Sequence, residues 1–279
     1  MIVLRSAAEI ERLARVNELV ARVLAELKAT VAPGVTTADL DALAERRLVE
    51  AGAEPAFKGY HGYPATICAS VNDQVVHGIP ANRPLVAGDI VSVDMGAKLD
   101  GFYGDSAVTV AVGPVSDDAA RLLKVTEASL YKAIDAVRPG ARVSDIGAAV
   151  QAHVEANGFS VVREFVGHGI GTKLHEEPQI PNYGTAGRGP RLVEGMVLAI
   201  EPMVNVGKPA VKVLGDGWTA VTKDGSLSAH FEHTVVVVRD GARILTQTGT
   251  RTEGSKNDGR RTATNADASP ASSTLALRP

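Results

Sequence analysis

Four acids and one histidine in this chain stand among apolar residues and glycines, where unpaired charge is hard to accommodate. Asp94 and Asp105 lie in "GDIVSVDMGAKLDGFYGDSAV", which reads as two strands around a turn at Asp100-Gly101. With that turn, both carboxylates point to one face, about one diagonal step apart. Glu201 ends the run "GMVLAIE", and Glu232 sits in "FEHTVVVV". Four anions brought together in an apolar sheet would cost more than folding can supply, so cations must neutralise them. Hard oxygen ligands suit divalent ions, and four carboxylates are enough to hold two ions bridged by shared acids. His168, in "VGHGIG", is a further ligand candidate. Its glycine neighbours allow backbone to pack close to a crowded site. A lone histidine is more often a satisfied core residue, but the four acids turn that preference around. A nitrogen ligand shifts the expected metals from magnesium or calcium toward manganese, cobalt, iron or zinc.

Two sets of repeated elements are expected to position these groups. "SAAE" (Ser6 to Glu9) is a capping box that opens a helix with Ile10, Leu13, Val16, Val20, Leu24 and Leu27 on its apolar side. A Pro-Gly break, a threonine cap and a second helix stopped by Gly52 follow. After the acidic hairpin the plan returns, with a helix in "SDDAARLLKVTEASLYKAIDAV", then a Pro-Gly break, a cap and a helix stopped by Gly158. Pro33 matches Pro139, Asp39 matches Asp145, Leu40 matches Ile146 and Gly52 matches Gly158. The strands repeat as well, so Asp94 corresponds to Glu201 and Asp105 to Glu232. Duplication with a pseudo-twofold axis would bring all four acids to one central place.

The whole chain narrows the setting. It has 279 residues, 45% of them hydrophobic, and a formal net charge of −3, which points away from nucleic acid and anionic membranes as main partners. One cysteine, Cys68, rules out an internal disulfide. No apolar run approaches the roughly 18 residues of a membrane span, and "MIVLRSAAEIERLARVNELV" carries charges throughout, so a cytoplasmic protein is expected. From about Thr250 the sequence is rich in Ser, Thr, Ala, Asn and Gly and lacks aromatics. A folded part over residues 1–249 and a disordered tail over 250–279 follow as expectations.

Asp94, Asp105, His168, Glu201 and Glu232, in that order, resemble the five metal ligands of the methionine aminopeptidases and their pita-bread relatives. The local motifs "NDQVVHGIP", "VGHGIGTKLHEEP", "AIEPMV" and "FEHTVVV" support the likeness over about residues 1–249. The interval from His168 to Glu201 holds no large insertion, as in type I enzymes. The resemblance implies an α+β pita-bread fold, in which two helix-helix-hairpin halves surround a central antiparallel sheet. It implies a metallo-exopeptidase that removes the initiator methionine from nascent chains when the second residue is small. Two divalent ions would activate the attacking water, with Glu201 taking its proton. His77 resembles the histidine that contacts the substrate amide, and His175 the one that stabilises the developing oxyanion. Tyr60, Tyr63, Cys68 and Trp218 match positions lining the methionine pocket. Leu174 stands where a phenylalanine is frequent, which keeps an apolar wall but loses aromatic packing on the methionine sulfur. Asn72 and Ser228 resemble a monovalent-cation site. A monomer with transient ribosome contact, and no membrane or specific nucleic-acid partner, completes the expectation.

Three other readings compete. A proline-specific peptidase of the same fold would usually carry a long N-terminal domain. A binding module that had lost its metals would show broken ligands, whereas all five are intact. A structural metal staple would need neither the two extra histidines nor the glycine-rich surroundings.

Overall fold

The computed structural model describes residues 1–248; the expected tail over 250–279 lies outside the described residues. Helix α1 (Ala7–Thr30) begins at the Ser6 capping box, where the Ser6 hydroxyl accepts from the Glu9 amide and the Glu9 carboxylate accepts from the Ser6 amide. Helix α2 (Thr37–Glu50) is capped the same way by Thr36 and Asp39. Helix α3 (Asp117–Asp135) starts at Ser116, and α4 (Val143–Ala156) completes the second pair.

The repeat is imperfect at α4. Its N-cap is Arg142, and a guanidinium has no acceptor to offer the first turn. Only half of the expected cap is therefore present, the Asp145 carboxylate accepting from the Arg142 amide at 2.7 Å. Ser144, the nearby hydroxyl, instead donates to the Arg188 carbonyl. Gly52 and Gly158 follow the ends of α2 and α4 at φ of 71° and 78°, the left-handed stop expected of both.

A nine-stranded sheet joins the two halves, with both helix pairs on one face, and all of its pairings are antiparallel. The strands Ile90–Leu99 and Phe102–Ala111 form the acidic hairpin, with Asp100 and Gly101 at φ of 51° and 81°. Positive φ at both central residues makes the tight turn that matches strand twist, and it sets the hairpin register. In the second half Val197–Ile200 pairs with Glu232–Val238, but residues 201–231 intervene, so the matching pair is not a hairpin. That excursion supplies strands to two small three-stranded sheets. The halves meet where Phe102–Ala111 pairs with Glu232–Val238.

Each half has its own core. α1 and α2 pack on Val91, Val93, Met95 and Ala97, while α3 and α4 pack on Leu198, Ile200, Val235 and Val237. These alternate residues face the helices, which leaves the opposite face of the same strands for the acids. Among the described residues no helix is long and apolar enough to cross a membrane.

Candidate metal centre and active site

Strand register assembles the acids. Asp94 and Glu232 are both cross-strand partners of Ala107, one on each side of it. Directly opposed residues project to the same face, so Asp94, Ala107 and Glu232 make one row across three strands. Asp105 lies two residues before Ala107 on that face. Alanine keeps the middle of the row open. Glu201 follows the last residue of Val197–Ile200, a strand that pairs with Glu232–Val238.

His168 arrives from the short strand Gly167–Gly169, paired through His168 with Ala199. A Cβ on Gly167 would lie 2.4 Å from the Ala199 carbonyl oxygen, and one on Gly169 would lie 2.2 Å from that of Glu177. Glycine on both sides is what lets this backbone close in. The His168 Nδ1 lies 3.0 Å from the Gly169 carbonyl, which can only accept, so Nδ1 carries the hydrogen. Nε2 then presents a bare lone pair, and burial lowers the ring pKa to about 3. That lone pair faces Glu201 Oε1 at 3.6 Å and Asp105 Oδ2 at 4.0 Å.

This geometry is repulsive without positive charge between the groups. Asp94 Oδ1, Asp105 Oδ1 and Glu232 Oε1 are buried and lack any hydrogen-bond partner. Among the described residues no Lys or Arg lines the cavity around them. Burial pushes the Asp105 carboxyl up to about 7. Burial, with repulsion from neighbouring acids, raises Asp94, Glu201 and Glu232 well above the carboxylate range. One atom each from Asp105, His168 and Glu232 falls within 4.8 Å of the others. Carboxylate oxygens and a deprotonated imidazole nitrogen, orphaned and convergent, fit divalent metal ions.

A cavity of about 290 Å³ opens over the acids. Its walls include every residue expected to contact substrate, His77, His175, Tyr60, Tyr63, Cys68, Leu174 and Trp218, with Asp94, Asp105, His168, Glu201 and Glu232 at the floor. Tyr63 and Trp218 meet edge to face at 5.1 Å, and Cys68 is the cross-strand partner of Asp94. Leu174 is buried, so the wall at that position is aliphatic. His175 lies at the exposed side, its ring 4.3 Å from that of His168, and its Nδ1 is 2.8 Å from the Tyr60 hydroxyl. His77 adopts a positive φ of 60° and meets the Phe165 ring edge-on; burial lowers its pKa to about 4.

Asn72 and Ser228 are also adjacent, the Ser228 amide donating to the Asn72 carbonyl at 2.9 Å. The Asn72 side chain is already engaged by Asp89 and the Ile90 amide.

Three neighbours were not singled out from the sequence. Phe57 and His61 also line the cavity. His61 precedes Gly62 in "GYHGYP", with a glycine on one side where His168 has one on both. His230 is fully buried with Nε2 3.7 Å from Glu201 Oε2, two residues before Glu232. A histidine so close in sequence to a ligand was the available signal.

Comparison with known proteins follows the same lines. The methionine aminopeptidase 1 of Bacillus subtilis (strain 168) is 53% identical over 247 residues, spanning 88% of this chain and 100% of the relative. A crystal structure of methionine aminopeptidase from Thermotoga maritima superposes with a TM-score of 0.87 at 48% identity, covering 88% of this chain and 100% of that one. The enzyme of the same name from Rickettsia prowazekii gives a TM-score of 0.87 at 42% identity, with the same coverage. The family model for metallopeptidase family M24 matches residues 11–239, which include all five candidate ligands. A ligand-grade acid cluster at the centre of a duplicated sheet and a family match over most of the chain agree: this chain belongs to metallopeptidase family M24.

Proposed function

We propose that this chain is a methionine aminopeptidase that hydrolyses the first peptide bond of newly made proteins, with Asp94, Asp105, His168, Glu201 and Glu232 holding two divalent metal ions. The observation that carries the proposal is the bare His168 Nε2 facing Asp105 and Glu201 beside orphaned carboxylate oxygens, under a cavity with apolar walls. Ions held there would supply Lewis-acid polarisation of the scissile carbonyl and a lowered pKa for the attacking water. Manganese, cobalt, iron and zinc all suit the ligand set of four carboxylates and one imidazole.

The chain's own residues do the rest. Tyr63, Cys68, Leu174 and Trp218 enclose an unbranched apolar side chain and exclude water around it. Glu201 accepts the proton of the attacking water, its carboxylate standing 3.6 Å from the His168 Nε2 at the floor of the cavity. His175 donates to the carbonyl oxygen as it gains negative charge. That task needs hydrogen on Nε2, the tautomer in which Nδ1, 2.8 Å from the Tyr60 hydroxyl, accepts from it. His77, held neutral by burial, contacts the substrate amide and serves the departing nitrogen. The crowded floor restricts the second residue to small side chains. A monovalent cation at Asn72 and Ser228, a monomeric state, cytoplasmic residence and transient contact with ribosomes belong to the same proposal. They rest on the resemblance, the charge balance and the origin of the substrate.

Assaying Met-Ala-Ser against Ala-Pro and Gly-Pro peptides, with and without added metal, tests the reading. Metal-dependent release of methionine is expected. Preference for the proline peptides would replace it with a proline-specific peptidase.

A further inference from the structure

The loop that carries His175 runs from Gly171 to Glu176, between the strands Gly167–Gly169 and Glu176–Ile180. Much of one side of it is open. A second cavity, of about 540 Å³, touches Thr172, Lys173, His175 and Glu176 and is bounded by Met1 and Val3. Leu174 is the loop's buried apolar anchor, but Thr172, Lys173 and His175 lie outside the packed core. What holds the rest of the loop is polar. The Glu176 carboxylate accepts from the Thr172 amide at 2.9 Å, the Lys173 amide at 3.1 Å and the Thr172 hydroxyl at 3.3 Å.

That carboxylate in turn meets Arg5, which lies 171 residues earlier in the chain. Arg5 Nη2 donates to both Glu176 oxygens, to Oε1 at 2.6 Å, and the side chains of the pair are only 4% and 10% exposed. Arg5 is itself well anchored. Its amide donates to the Gly195 carbonyl at 2.8 Å, and its Nη1 lies 3.6 Å from Glu9, the acid of the α1 capping box. The guanidinium also lies directly under Gly171, where a Cβ would stand 2.0 Å from Nη2. On its other side Gly171 is fixed by its carbonyl, which accepts from the Tyr103 amide at 2.8 Å.

We infer that Arg5 is a positioning residue for His175: through Glu176 it clamps the Gly171–Glu176 loop to the start of α1 and so sets where the His175 ring stands over the metal centre. Both bonds to Glu176 come from Nη2 while Nη1 faces Glu9, so the rigid guanidinium plane spans the two acids where a compact ammonium reaches only one of them. A desolvated pair of this kind is weak evidence for stability but defines geometry, and displacement of a catalytic group by about 1 Å can cost on the order of 10²-fold in rate. The inference rests on the role of His175 proposed above.

The test is a double-mutant cycle on the metal-loaded full chain, with kcat and KM measured on Met-Ala-Ser and bound metal quantified in each variant. Arg5→Met is expected to lower kcat roughly 10-fold or more while KM changes little and metal content is kept. Arg5→Lys should recover only part of the loss. In a His175→Ala background, Arg5→Met should lower kcat no further, because the group it positions is gone. Equal losses in both backgrounds, or a loss confined to KM or metal content, would overturn the proposal. A wild-type kcat in His175→Ala alone would remove the catalytic role of His175 and the positioning role with it. Should Arg5→Met fail to fold, the same cycle with Arg5→Lys decides by the same criterion.

Discussion

Replacing Asp105 by asparagine should make the metal-free protein more stable while destroying its activity. The Asp105 side chain is buried, one of its oxygens has no partner, and its carboxyl is pushed from 3.8 up to about 7. At about 1.36 kcal/mol per pH unit, holding the anion in the folded state costs about 4 kcal/mol at pH 7 and above. A buried amide with imperfect partners returns about 2 kcal/mol of that cost. The net gain is about 2 kcal/mol, or about 4–8 °C in Tm for a domain of this size. The sign follows from linkage. The folded pKa lies above the unfolded one, so the penalty is absent below about pH 3.8, grows as pH rises through the window, and is complete above about 7. Nearby histidines titrate in both proteins and largely cancel in the difference. Calorimetry in excess chelator from pH 4 to pH 8 should therefore show the Asp105→Asn advantage appear and grow with pH. Adding metal should reverse the order, because ions bound only to the folded wild type stabilise it by about 2.7 kcal/mol at 100 times Kd. A chelated variant less stable than wild type at pH 8, or a gap that ignores pH, would refute the account of a centre strained by its own charges.

Other predictions follow from the same geometry. His77→Ala and His175→Ala should each lower kcat on Met-Ala-Ser by roughly 10²-fold or more with bound metal unchanged; loss of metal in either would mark it as a ligand. Because Asp94, Glu201 and Glu232 are raised along with Asp105, metal loading at pH 7 should expel protons, and affinity should tighten as pH rises. Calorimetry in two buffers of different ionisation enthalpy reads that release directly, and no net release would contradict it. Gly167→Ala should destabilise the fold and reduce metal content, since its Cβ would press within 2.4 Å of the Ala199 carbonyl; normal Tm and metal content would show that the strand can shift.

Much of this protein is encoded over short stretches. The Ser6 and Thr36 caps, the Asp100-Gly101 turn and the glycine stops at Gly52 and Gly158 are local choices between a residue and its own backbone, and they read directly from the sequence. The turn fixes hairpin register, and register places Asp94 and Asp105 on one face, so even the first half of the acid cluster was legible. The five ligand candidates were legible too, because buried carboxylates make sense in few ways other than around cations.

Tertiary structure decided what depends on contacts between distant segments. The Ala107 row that joins Asp94 to Glu232 exists only once the two halves pair. The repeat concealed that the strands Val197–Ile200 and Glu232–Val238 are separated by residues 201–231, since pairing across a long excursion leaves no turn signal. It likewise predicted a full cap for α4, where Arg142 supplies no acceptor and Asp145 works alone. The grip of Arg5 on Glu176 has no local signature, and the places of His230 beside Glu201 and His61 in the cavity wall had only weak ones, a nearby ligand and a neighbouring glycine. Backbone preferences act over a few residues, whereas these contacts are set by how two cores and nine strands close around a shared charge, and only packing specifies that.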